Sequence, residues 1–145
     1  MPALHPYHSY RQVSTLTAPP GQIVLMLFEG AIRSLELALT GFSLPDPAER
    51  NMTVNNNLQK GRNIIHALNL ALDAEKGGEL AATLGRLYEY FDRRLHESNL
   101  KKTRHGVEEV IRHLTELRDG WRTMLVSHSA SLAPVSETPL AFAQA

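Results

Sequence analysis

Four stretches of this chain space their apolar residues alternately four and three positions apart, and such a pattern can bury its oily surface only as amphipathic helices. The first seam reads Val24, Phe28, Ala31, Leu35, Ala38 and Phe42, and the second Val54, Leu58, Gly61, Ile65, Leu68 and Leu72. The third reads Leu80, Leu84, Leu87, Phe91 and Leu95, and the fourth Val107, Val110, Leu114, Leu117, Trp121 and Met124. Punctuation between the seams agrees with this reading. Pro20 suits a first helical turn, where its missing N–H has no intrahelical partner to lose, and Gly41 with Ser43-Leu44-Pro45 stops the helix. Asp46-Pro47-Ala48-Glu49 supplies an N-cap aspartate, a first-turn proline and a glutamate three positions on, a form of capping box. Asn55-Asn56-Asn57 and Gly61 are poor helix formers, so the second helix must lean on packing. Glu75-Lys76-Gly77-Gly78 predicts a break, Lys101-Lys102 suits a helix C-terminus, and Thr103 is expected to cap the fourth helix.

Short connections force neighbouring helices antiparallel, and four-three seams favour shallow crossing angles. The predicted fold is all-α, an antiparallel up-down-up-down four-helix bundle. A chain of 145 residues leaves room for one domain. The expected division is an N-terminal cap segment over 1–18, the helical bundle over 19–126 and a flexible tail over 127–145, where Ser, Ala, Pro and Thr take over.

Charge and composition narrow the function classes. Fifteen basic residues balance fifteen acidic ones, so the chain lacks the positive field of a nucleic-acid or anionic-membrane binder. With no cysteine there can be no disulfide, thiolate nucleophile, cysteine-ligated zinc or iron–sulfur centre. Met1-Pro2-Ala3-Leu4-His5-Pro6 reads as no signal peptide, and the longest apolar run, Ile23 to Phe28, is too short to span a bilayer. A cytoplasmic protein without membrane insertion is expected.

Seven histidines raise the question of a metal: His5 and His8 precede the seams, while His66, His96, His105, His113 and His128 are scattered. A di-iron bundle needs repeated Glu-x-x-His pairs, which the sequence lacks, and His66 and His113 flank the seams at an expected wet edge. Asp92 with His96 and Glu109 with His113 are i, i+4 pairs, expected as solvated contacts in preference to acid–base couples. Arg93-Arg94 and Lys101-Lys102-Thr103-Arg104 concentrate basic charge, but Asp92 and Glu97 are interleaved and the third helix ends there. No phosphate loop or nucleophile elbow is present, so neither enzyme, cofactor nor metal is predicted.

The anomaly is apolar excess. Ile23-Val24-Leu25-Met26-Leu27-Phe28 is hydrophobic all round, Leu37 and Leu39 extend it, and Ile64, Leu70, Tyr88 and Tyr90 add surface beside the other seams. Two readings stay open: a first helix enclosed at the centre of the fold, or a groove that receives an amphipathic segment of a partner.

Thr17-Ala18-Pro19-Pro20-Gly21-Gln22-Ile23-Val24-Leu25-Met26-Leu27-Phe28-Glu29-Gly30-Ala31 resembles the helix-one signature of the flagellin export chaperones, the FliS family. Tyr10-Arg11-Gln12 resembles the family's tyrosine-containing N-terminal motif. Glu75-Lys76-Gly77-Gly78-Glu79-Leu80, Leu87-Tyr88-Glu89-Tyr90 and Arg93-Arg94-Leu95 are similar to its second signature. Glu97-Ser98-Asn99-Leu100-Lys101-Lys102 and Leu117-Arg118-Asp119-Gly120-Trp121 follow in the same order, so the likeness runs over roughly residues 7–126. The chain departs from the family at Pro19 and Gly21, where a serine cap and an acidic residue are common, and at Glu29, where aspartate is usual. The resemblance implies a cytosolic bundle that binds the disordered C-terminal segment of flagellin, prevents premature polymerisation and delivers it to the flagellar export gate. It also implies that the apolar surplus is the receiving surface, with the segment around Tyr7 and Tyr10 covering part of it. Leu27, Ile64, Leu68, Tyr88 and Leu95 are the candidate client contacts, and Tyr10 the candidate cap or export-gate contact. A homodimer is an open alternative to a monomer. A rival from another class is a helical-bundle regulatory adaptor for a protein other than flagellin.

Overall fold

The computed structural model describes residues 20–72 and 74–137, with side chains omitted for 74–76 and from 129 onward. It contains four helices: α1 (Pro20–Gly41), α2 (Pro47–Leu70), α3 (Ala74–Lys101) and α4 (His105–Glu137), with no strand among the described residues. Each helix packs on its sequence neighbours, and α4 returns to α1, which closes the ring of an antiparallel four-helix bundle. The cap segment over 1–18, including Tyr10, lies outside the described residues.

Local chemistry sets the turns. Asp46 sits in an extended conformation with φ −76° and ψ 122°, and its carboxylate accepts from the Glu49 N–H at 2.8 Å while Pro47 occupies the first turn. At the far end of α3, Lys102 takes the left-handed position (φ 53°), and Thr103 N–H reaches back to the Ser98 carbonyl at 3.0 Å. That is the Schellman arrangement, with lysine where glycine is usual, and the Lys102 ammonium holds the Asn99 carbonyl at 2.8 Å. Thr103 is not the cap of α4: the Arg104 carbonyl takes the first helical bond, from Glu108 N–H at 3.0 Å, so Thr103 stands one residue outside.

The core follows the seams closely in α2, where Val54, Leu58, Gly61, Ile65 and Leu68 are the buried residues. Gly61 is required by close approach, because a Cβ there would stand 2.6 Å from Leu35 Cδ2 of α1. In α1 the seam residues Phe28, Ala31, Leu35 and Ala38 are buried together with Leu25 and Ile32. None of Ile23 to Phe28 is exposed, yet Ile23, Val24, Met26 and Leu27 are only half-covered, so the two readings of α1's apolar excess each hold for part of it.

Three expectations are corrected. In α3 the buried line is Ala81, Tyr88, Phe91, Leu95 and Ser98, while Leu80 is 67% exposed and Leu87 half-buried. The phase is set after the break, which narrows to Gly78 (φ 54°, ψ −127°), a conformation that only glycine adopts without strain. In α4, Met124 is exposed and Leu125 turns inward instead, against Gly21. The fourth helix also runs past Ser127 to Glu137, where Ala130, Leu132 and Ala133 carry adequate helix propensity.

Candidate functional site

Antiparallel packing brings the start of α1, the end of α2, the start of α3 and the later half of α4 to one end of the bundle, and there the seams do not close. An apolar cleft of about 360 Å³ remains. Val24 and Phe28 line it from α1, Leu68, Ala71 and Leu72 from α2 and its turn, Leu80, Ala81, Leu84 and Tyr88 from α3, and Leu117 and Trp121 from α4. Leu70, Leu80, Met124 and Val126 stand exposed on the helix segments that form this end. The backbone is kinked here at the non-helical Gly78, and beyond it Ala81 turns into the seam while Leu80 stands at the cleft's rim. Trp121 anchors the opposite rim by donating its indole N–H to the Gly21 carbonyl at 2.9 Å.

Tyr88 joins this cleft to a second, polar groove of about 590 Å³ between α2 and α3. The phenol is 3% exposed, and burial pushes its pKa up to about 12, so it stays neutral at any physiological pH. Arg62 crosses the polar groove to Asp92, with Nε to Oδ1 at 2.8 Å and Nη2 to Oδ2 at 3.2 Å. The Arg62 guanidinium beside it holds the Asp92 carboxyl below its usual range, with His96 and His66 adding to the effect. Asp92 is therefore committed to α2; His96 meets Arg62, not Asp92, at 3.3 Å. Between α3 and α4 the bridge is Glu109, which accepts from the Tyr90 hydroxyl at 2.6 Å and from Arg94 Nε at 2.7 Å. Those bonds depress the Glu109 pKa, the tyrosine's first, and raise that of Tyr90. His113 stacks on Phe91 at 5.9 Å and lies 3.9 Å from Glu109.

The candidate contacts divide. Leu68 (2% exposed) and Tyr88 meet in the cleft, Leu68 as floor. Leu27 and Ile64 are half-buried outside it, with Ile64 directed at Gly30 of α1. Leu95 is wholly enclosed by the bundle core and presents no surface to a partner. Missing from the sequence-derived set were Leu72, Leu80, Leu84, Leu117 and Trp121. All had been read as seam, and the available signal was that they are the seam ends that antiparallel packing gathers together.

No helix among the described residues is long and apolar enough to cross a membrane, and no group of three or more His, Cys, Asp or Glu there could hold a metal ion. What the cleft can do is exclude water from an apolar side chain, with polar groups along its α2–α3 extension to fix orientation. The family described as Flagellar protein FliS matches residues 3–128 of the chain. The flagellar secretion chaperone FliS of Bacillus subtilis is 36% identical over 123 residues, 85% of this chain and 88% of that protein. That of Salmonella typhimurium is 36% identical over 119 residues, covering 79% and 85%, and FliSB of Pseudomonas aeruginosa is 34% identical over 125 residues, covering 83% and 96%.

Proposed function

The chain belongs to the FliS family of flagellar secretion chaperones, and on that premise we propose that it binds the disordered C-terminal segment of flagellin in the cytoplasm. There it prevents premature polymerisation and presents the client to the flagellar type III export gate. The family is one of chaperones, not of enzymes. The observation that carries the flagellin reading is the unclosed apolar end, where all four helices leave a cleft beside exposed leucines. A guest that orders only on binding can cover such a surface while remaining exchangeable, as handing over to an export machine requires. The segment holding Tyr7 and Tyr10 precedes α1 in the sequence, and its proposed role is to cover the cleft until a client displaces it.

Titrating the full chain with flagellin's C-terminal peptide by calorimetry tests the proposal: saturable heat is expected, and a folded protein that gives none points to the adaptor for another protein. Trp121 is the single tryptophan and lines the cleft, so its emission should shift as the peptide enters. Leu68 is too enclosed for a clean test by charge insertion, since an aspartate there would threaten the fold itself. Leu80 is the better position.

A further inference from the structure

At the opposite end of the bundle, the α1–α2 and α3–α4 turns enclose a second open pocket of about 410 Å³. Three cations line it, Arg50, Lys102 and Arg104, together with Asn51, Thr103 and an apolar floor of Phe42 and Val54. No carboxylate lines it, and none of the three cations forms an ion pair among the described residues. Their positions are nevertheless fixed. Arg50 Nη1 donates to the Leu44 carbonyl at 2.9 Å, and Lys102 Nζ to that of Asn99 at 2.8 Å. Arg104 donates to the Leu39 carbonyl at 3.2 Å and to Ser43 Oγ at 2.7 Å, with its guanidinium 5.4 Å from the centre of the Phe42 ring. Carbonyl and hydroxyl acceptors orient a cation without neutralising it, and each guanidinium keeps N–H donors free. The α2–α3 groove differs, because Arg62 there is neutralised by Asp92.

We propose that this turn-end pocket binds an acidic peptide segment of a partner protein, with carboxylates on Arg50, Lys102 and Arg104. Charge complementarity selects the acid, and three cations spread round a volume far larger than one oxyanion select a peptide over a small anion. The pocket lies a bundle's length from the apolar cleft, so client and acidic segment can be held at once.

The test is amide-shift mapping by NMR on the full chain, with a short synthetic peptide alternating glutamate and leucine, its glutamine–leucine counterpart, and inorganic phosphate. The glutamate peptide should move amides in residues 42–54 and 102–106, with roughly tenfold weaker binding for the glutamine peptide and for the R50Q/K102Q double variant. Equal binding of the glutamine peptide, shifts confined to the cleft end, or phosphate moving the same amides as strongly as the peptide would each overturn the proposal. The wild-type peptide comparison decides the matter even where the double variant loses its fold.

Discussion

The two ends of this bundle are built on opposite principles. At the turn end every connection is tied: Asp46 caps α2, Arg50 holds the Leu44 carbonyl, Lys102 closes α3 and Arg104 straps α4 to the last turn of α1. At the cleft end the chain leaves apolar side chains in reach of water and bends α3 at Gly78. Both ends leave apolar side chains in water, Met52 and Leu100 at the turn end and Leu70 and Leu80 at the other, but only at the second do they border a cleft whose lining is almost wholly apolar. On the proposed function, substitutions at the cleft should separate client affinity from stability.

The largest expected effect belongs to neither end. Leu58→Ala in the shared core should lower unfolding free energy by about 2–5 kcal/mol in chemical denaturation, because Leu58 is fully buried. Should it behave like a surface change, the distinction between core and cleft fails. Next comes Leu80→Asp, which should weaken flagellin-peptide affinity by roughly tenfold while changing stability by no more than about 0.5 kcal/mol. A loss of fold without loss of affinity would reverse the assignment. At the tied end, Asp46→Ala should cost about 1 kcal/mol, seen as a lower melting temperature with client affinity unchanged.

The smallest effect is on pH dependence. Glu109 is held below its ordinary value of 4.5 by Tyr90 and Arg94, so its contribution is full above that value and is lost as pH falls through the depressed one. Glu109→Gln should flatten that acid limb in a pH series of melting temperatures and leave the neutral-pH cleft affinity alone. An unchanged acid limb would mean the Tyr90–Glu109–Arg94 bridge adds nothing to the fold.

How much was legible follows from what each residue type announces. The α2 seam is legible position by position because polar residues flank most of it, as Asn55-Asn56-Asn57 do Leu58, with Ile64 beside Ile65 the exception. In α3 the choice between Leu87 and Tyr88 is invisible to periodicity, since both are apolar-bodied neighbours, and buried Ser98 reads as polar. Only the Gly78 geometry sets the phase. Leu95 was nominated as a contact for the same reason: periodicity reports that a side chain points inward, not whether the interior is sealed there. Arg62 and Asp92 lie 30 positions apart on different helices, and no local spacing joins such a pair. The resemblance, by contrast, implies a receiving surface on helices one to three, and the cleft draws residues from all of these together with Leu117 and Trp121 of α4.

The indole bond from Trp121 to Gly21 has a mechanical meaning. It spans α1 and α4 beside the Arg122–Glu29 ion pair at 2.8 Å, and it rests on a backbone oxygen that a helical turn can still satisfy alone. Releasing the indole bond therefore costs on the order of 1 kcal/mol, with no turn unwound. For a chaperone of the proposed kind, such a latch would let a client enter and leave on a threshold far below that of unfolding.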